Sequence, residues 1–332
     1  MCHSRDIENL LAIGVDPKTR DPRIRKDDNA KHNKNMKTKT KSPLVSVIIP
    51  VFNGASFLRE AVDSVQKSTF TDFDIMLIDD GSTDHSRHIC KDLEIQYANV
   101  HFHEFPNNRG LARVLNYALE HAKGTYICRL NQDDRMLPHR LATQVAYMES
   151  HKDVVASGSW IKLFFVNGKS QIVRFLSTDE KIKKMWHIVS PFADPSVMYR
   201  REVALMVGGY DQAMWPADDT HLWMRMGTVG KLGNIQKSLV EVRWHKKAAS
   251  VAHFKTLALS TYRMHMYTHT YIDKASIFTH LFWLIQLICG LTLSPEFNWG
   301  VYRVMKRVIN NKRIINIREK SLFAPLFKTA KV

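Results

Sequence analysis

Two short runs of apolar residues, VSVIIP at positions 45–50 and IMLI at 75–78, each break off abruptly into polar turn residues. Runs of that length and composition suit strands buried on both faces of a parallel sheet. Between them, Phe57, Leu58, Ala61, Val62 and Val65 recur at helical spacing. The same alternation continues down the chain. It predicts strands over 45–49, 74–78, 100–105, 126–130 and 154–157, and helices over 55–67, 84–96, 111–122 and 138–150. Helices alternating with strands argue for an α/β fold with a mostly parallel, doubly wound sheet. Past Trp160 the pattern changes, and runs at 161–166 and 171–175 flank Asn167-Gly168, a strong hairpin turn. Polar residues gather where the first strands end, the edge at which open α/β sheets bind ligands. Asp79 and Asp80, followed by Gly81 and Ser82, suit a hydroxyl-rich or cationic ligand there. They equally suit an ordinary strand-to-helix turn with Asp84 as its N-cap.

The two ends of the chain differ from this middle. Residues 1–42 are polar and largely aperiodic, and read as a disordered basic extension. The window 275–294, ASIFTHLFWLIQLICGLTLS, is the most apolar of the chain. Its length is near the minimum for a membrane span, but it contains His280, Gln286 and Gly290. It can span, lie on a membrane, or pack on the preceding domain. The formal net charge of +16 over 332 residues is concentrated outside the α/β pattern. Residues 1–42 hold 11 Lys/Arg against 6 Asp/Glu, and residues 295–332 hold nine against two. Basic ends favour anionic surfaces. No aromatic interleaves the basic residues of 1–42 or those from Arg303 to Lys320, and both runs lie outside the expected folded region, which argues against a nucleic-acid partner. They leave an anionic membrane surface as the expected one. The four cysteines lack metal-ligand spacing, and the first twenty residues lack the apolar run of a secretory signal. Both point to a cytoplasmic chain, peripheral at the inner membrane face.

Five segments in fixed order carry a resemblance: VSVIIPVFNG with IMLIDDGSTD, then PNNRGLARVLNYAL, GTYICRLNQDDRMLPHRLATQVAYME, ADPSVMYRR and GGYDQAMWPADDTHLWMRM. Together they resemble the family 2 glycosyltransferases over roughly residues 44 to 250. The resemblance implies a GT-A fold at 43–250, followed by a helical, apolar and basic C-terminal region at 251–332. It implies an inverting enzyme that moves a sugar from a nucleotide-diphospho-sugar, most commonly a UDP-sugar, to a hydroxyl of a glycan or lipid-linked acceptor. Surface polysaccharide synthesis is the expected setting.

Such chemistry needs a neutralised leaving diphosphate, an oriented sugar and a base for the acceptor hydroxyl. The sequence RLNQDDRMLP resembles the family's Asp-x-Asp-Asp element, with Asn131 in place of the first acid. The resemblance makes Asp133 the first candidate ligand for Mn²⁺ or Mg²⁺, with Asp134 close behind. His245, in Arg243-Trp244-His245, resembles the family's Arg-x-His and is a third. Pro50, Val51 and Phe52 match the loop that meets the base, Asp80 the acid that reads the base edge, and Arg109 a phosphate contact. Asn131 keeps a hydrogen-bonding role toward the donor. Asp219 matches the general base and Asp218 its support. Asn116, Arg129, Trp215 and Trp223 each admit a packing role as readily as a binding one. Asp194 stands where relatives often have His. With Asn131, it motivates a second reading, a nucleotide-sugar-binding or scaffold protein with impaired catalysis.

Overall fold

The computed structural model describes residues 42–165, 168–245, 252–294 and 297–298. The N-terminal extension up to residue 41, Asn167 and nearly all of the basic tail lie outside these residues. The first half alternates as its periodicity requires. It runs β1 (Val45–Val51), α1 (Leu58–Gln66), β2 (Phe73–Asp80), α2 (Ser86–Gln96), β3 (Val100–Phe105), α3 (Leu111–His121) and β4 (Tyr126–Arg129). β1 pairs in parallel with β2 on one side and β4 on the other, and β2 pairs in parallel with β3. The order β3-β2-β1-β4 therefore reverses direction at β1, which opens a crevice at the C-terminal ends of β1 and β4.

Alternation along β1 explains why the sheet is covered on both faces. Val45, Val47, Ile49 and Val51 join Leu58, Val62 and Val65 of α1, Leu93 of α2 and Leu141 in one core layer. Ile48 faces the other way, into a layer with Val114, Leu115 and Leu119 of α3 and with Leu222 and Trp223 further on. β2 is buried along its whole length. It also runs further than its apolar run: Asp79 and Asp80 lie inside the strand, registered against Val51 and Phe105. The reading of these acids as turn residues is thus corrected. Parallel neighbours on both sides take the strand's backbone groups, and the carboxylates find donors of their own.

Beyond β4 the sheet becomes mixed. A short β5 (Arg135–Met136) leads into α4 (Arg140–Ser150) and the long β6 (Val154–Phe165), which turns back as β7 (Ser170–Val173). The two predicted runs at 154–157 and 161–166 are one strand, bent by register shifts around Trp160. After α5 (Asp179–Met185), β8 (Met198–Arg200) inserts antiparallel between β4 and β6. Then come α6 (Arg201–Met206), α7 (Asp218–Val229) and β9 (Lys231–Trp244), which pairs in parallel with β6 and antiparallel with β5. β9 thereby carries its C-terminal end to the crevice. Two helices close the described chain, α8 (Phe254–Tyr271) and α9 (Ile277–Thr292). Among the described residues no helix is long and apolar enough to cross a membrane.

Candidate functional site

The loops after β1 and β2 are stitched to each other. The Asn53 backbone sits at φ 50, and its side-chain Oδ1 accepts from the amides of Thr83 (2.8 Å) and Asp84 (3.3 Å). In return, Ser82 Oγ accepts from Asn53 N at 2.9 Å and Ser86 Oγ from Gly54 N at 2.8 Å. Gly81, at φ +73, passes so close to the chain at Asn107 that a Cβ would lie 2.6 Å from its carbonyl carbon. From the trio Pro50, Val51 and Phe52, only Phe52 is well exposed, at 43%. Its backbone N and O are both held at 2.9 Å by the Gln132 carboxamide, a clamp between the β1 and β4 loops that the sequence did not reveal.

Asp79 and Asp80 are architectural in their contacts. Asp79 is buried, accepts from Ser82 N at 3.1 Å and pairs with Arg87 at 3.3 Å. Asp80 accepts from the backbone amides of Arg109 (2.7 Å) and Gly110 (3.0 Å). It thereby holds the loop that starts α3, and leaves the exposed Arg109 guanidinium 4.3 Å above the Phe105 ring. Asn116 is taken up by structure: its side chain exchanges two 2.8 Å hydrogen bonds with the Tyr210 backbone. Trp223 is core, with no exposed surface, while Trp215 is half-buried.

At the end of β4 the Asn131–Asp134 loop is set by long-range partners. Asp133 Oδ2 lies 2.7 Å from His245 Nε2, at the end of β9, and both side chains are about one-fifth exposed, each at 20%. Arg243 organises the loop from the same strand. Its backbone N donates to Asp134 Oδ1 at 2.9 Å and its Nε to the Asp133 carbonyl at 3.1 Å. Its guanidinium lies over the rings of Phe57 and Phe164 and pairs with Glu60. Of the three candidate metal ligands, Asp133 and His245 come together. Asp134 is buried instead, with Oδ2 accepting from Asn131 Nδ2 at 3.0 Å. Burial, with Asp133 alongside, pushes its carboxyl well above the carboxylate range. Among the described residues no group of three His, Cys, Asp or Glu side chains forms a metal cluster.

Arg129 is wholly buried and is a structural cation. It donates to the carbonyls of Ile48 and Leu130 (3.1 Å each), to Asn131 Oδ1 (3.1 Å) and to Asp194 Oδ2 (2.7 Å). Burial opposes its charge. Asp194, with the Tyr210 and Tyr199 hydroxyls, outweighs that and holds the guanidinium above its ordinary pKa. Asn131 is thus engaged at both ends of its carboxamide.

Asp218 and Asp219 begin α7, where the helix dipole favours negative charge. Their surroundings oppose it. Burial first, then the nearby negative Asp194, pushes the Asp218 carboxyl up to about 7. Burial, Asp194 and Asp218 push Asp219 up to about 8. Asp218 Oδ2 has no hydrogen-bond partner among the described residues, and Asp219 accepts from the adjoining Thr220 amide. A largely buried, partly accessible carboxylate pushed up to about 8 suits proton abstraction.

The chain is similar in sequence and fold to known proteins. The sequence model of glycosyl transferase family 2 matches residues 46–206. The "Putative glycosyltransferase EpsE" of Bacillus subtilis (strain 168) is 30% identical over 205 residues, which cover 60% of this chain and 73% of EpsE. The Escherichia coli UDP-Gal:α-D-GlcNAc-diphosphoundecaprenol β-1,3-galactosyltransferase is 27% identical over 272 residues, 80% of this chain and 98% of that enzyme. Among solved structures, the mannosyltransferase PcManGT from Pyrobaculum calidifontis, in complex with GDP-Man and Mn²⁺, superposes with a TM-score of 0.57. It is 17% identical, with 84% of each chain covered.

Proposed function

The chain belongs to glycosyl transferase family 2 and is a glycosyltransferase of GT-A fold; from that premise we propose an inverting, metal-dependent transfer from a UDP-sugar to a lipid-linked glycan acceptor. The observation that carries the metal-dependent reading is the Asp133–His245 contact at the crevice, beside the loops of β1 and β2. The Asp133 carboxylate would suit Mn²⁺ or Mg²⁺, and an added imidazole from His245 would favour Mn²⁺ over the strictly oxygen-seeking Mg²⁺. Asp134 is set aside as a ligand, because both its oxygens already hold the loop. When bound, the cation supplies charge to the diphosphate as the leaving group becomes more negative.

The chain's own residues do the rest. Phe52 offers a ring to the base, Asp80 and Asn131 hold the loops that line the donor site, and the exposed Arg109 guanidinium, over the Phe105 ring, is the cation offered to the phosphates. The acceptor hydroxyl attacks the anomeric carbon as the bond to the diphosphate breaks. Asp219 takes the hydroxyl proton, its pKa held high by burial, Asp194 and Asp218. The E. coli relative's diphosphoundecaprenol-linked substrate supports a lipid-linked acceptor and a place at the cytoplasmic membrane face.

The test is thermal stabilisation of the full chain by UDP-sugars with and without Mn²⁺, followed by transfer assays. A ligand that binds only the native state raises the melting temperature by mass action. We expect the stabilisation to need metal and to vanish in Asp133→Ala. Equal stabilisation in EDTA would overturn the metal assignment. Stabilisation without turnover on any acceptor would leave the binding-protein reading in its place.

A further inference from the structure

α9 presents its apolar side outwards. Ile277, Phe278, Leu281, Leu284, Ile285 and Ile288 are each between 44% and 76% exposed on the described surface, at 75%, 52%, 56%, 46%, 52% and 52%. At 3.6 residues per turn they fall within roughly a third of the helix circumference. The opposite side is bolted down. Trp283 is 1% exposed, donates to the His187 carbonyl at 2.6 Å, and stacks on His265 with ring centroids 4.7 Å apart. Gly290 lies so close to α8 that a Cβ there would be 2.5 Å from Ala258 Cβ. The helix therefore cannot roll to bury its stripe, in contrast to an ordinary surface helix, which turns its apolar face inward.

We propose that this face of α9 docks flat into an anionic lipid surface. The inference extends the lipid-linked acceptor reading above, since it would hold the crevice near such an acceptor. Sixteen residues make a helix about 24 Å long, short of the roughly 30 Å hydrocarbon core. With one side fixed to the protein, the helix lies in the interface and does not cross it. From Ile277 to Thr292 the sequence holds no Asp, Glu, Lys or Arg. Exposed Lys274 precedes it, and nine Lys/Arg against two Asp/Glu follow in residues 295–332. That charge selects anionic headgroups. It also opposes pairing of this face with a second copy, which would bring two strongly basic tails together.

The experiment is co-sedimentation of the full chain with phosphatidylglycerol/phosphatidylcholine vesicles and with pure phosphatidylcholine vesicles. Wild type should bind the anionic vesicles more tightly. Leu281→Gln with Ile285→Gln should weaken binding by at least about tenfold and leave the melting temperature unchanged, because both side chains are exposed. Equal binding by that variant would overturn the proposal. So would a wild-type dimer that the variant makes monomeric, with no vesicle binding by either. A second variant, Leu284→Trp, keeps the stripe apolar: its added emission should shift blue on anionic vesicles and be quenched by brominated lipid. An unshifted, unquenched signal would also sink the idea. None of these readouts needs donor or turnover, so loss of the transferase reading and loss of the docking surface are separately visible.

Discussion

The parallel half of the sheet and the start of α7 treat their carboxylates in opposite ways. At the end of β2, Asp80 spends both oxygens on backbone amides, and Asp79 pairs through Oδ2 with the cationic Arg87 while its Oδ1 has no partner among the described residues. At the start of α7, Asp218 keeps an orphaned oxygen, and Asp219 is pushed up to about 8 beside two further acids. The side-chain type is the same, and donors decide the difference. A carboxylate with two or more donors is an architectural brace. One that is buried with few donors, has no cation beside it and is crowded by like charge is held protonated up to about neutral pH.

The contrast can be broken most sharply at Asp219. Asp219→Asn keeps the shape and removes the proton acceptor. We expect turnover to fall by about 10²-fold or more, with donor-induced stabilisation unchanged. A parallel loss of that stabilisation would move Asp219 to the bracing class.

Asp194 belongs to both classes, as counter-ion to Arg129 and as a negative neighbour of Asp218 and Asp219. Asp194→Asn leaves a buried cation unpaired, so we expect destabilisation of about 3–5 kcal/mol. Asn131 already touches Arg129 through its Oδ1. The double variant Asp194→Asn/Asn131→Asp restores a carboxylate to the guanidinium and should recover part of the loss in a denaturation cycle. Asn131→Asp alone has no such compensation. It removes the amide donor to Asp134 and sets a second acid beside it, so it should destabilise and lower turnover. Full additivity in the cycle would show that Arg129 does not mediate the coupling.

Asp80→Asn offers one oxygen to two amide donors. A loss of about 1 kcal/mol should follow from the weakened, partly buried loop contact, read as a lower melting temperature and a weaker response to UDP-sugar. A variant as stable as wild type would remove Asp80 from the braces.

The smallest effect is a shift in pH. Only ionised Asp219 accepts a proton, so kcat should rise as pH passes through about 8. Asp218→Asn removes one neighbouring charge, and its acid limb should move to lower pH. The stability sign follows from the same shifts. Both folded-state values lie above the unfolded value near 4, so the folded state holds these protons more tightly. Stability contributed by these sites falls as pH rises from about 4 to about 8, and Asp218→Asn should gain on wild type as pH rises from about 4 to about 7 and keep that gain above it.

The positions of these acids were legible in sequence, whereas their contrasting surroundings were not. Asp80 and Asp219 both sit in segments whose order resembles one family, but nothing local distinguishes a satisfied carboxylate from a crowded one. Asp134 looked like a ligand because it adjoins Asp133. It is a brace because Arg243 reaches it from a strand 109 positions away. Arg129 could be read as a donor contact until Asp194, 65 positions on, supplied its partner. Gln132 sat within a recognised motif, yet its clamp on Phe52 depends on two strands lying side by side.

Sequence by itself determined what depends on near neighbours. Apolar periodicity set the alternation of β1 to β4 with α1 to α3, because side-chain direction repeats every two residues in a strand and every 3.6 in a helix. The motifs set which residue types stand at the strand ends. Tertiary structure alone decided the joining of distant segments: β8 slipping antiparallel beside β4, β9 delivering His245 to Asp133 across 112 positions, and α9 held with its apolar stripe outward. Burial and charge add over every group that surrounds a site, whichever part of the chain supplies it. No local pattern can therefore state whether Asp219 is a brace or a base.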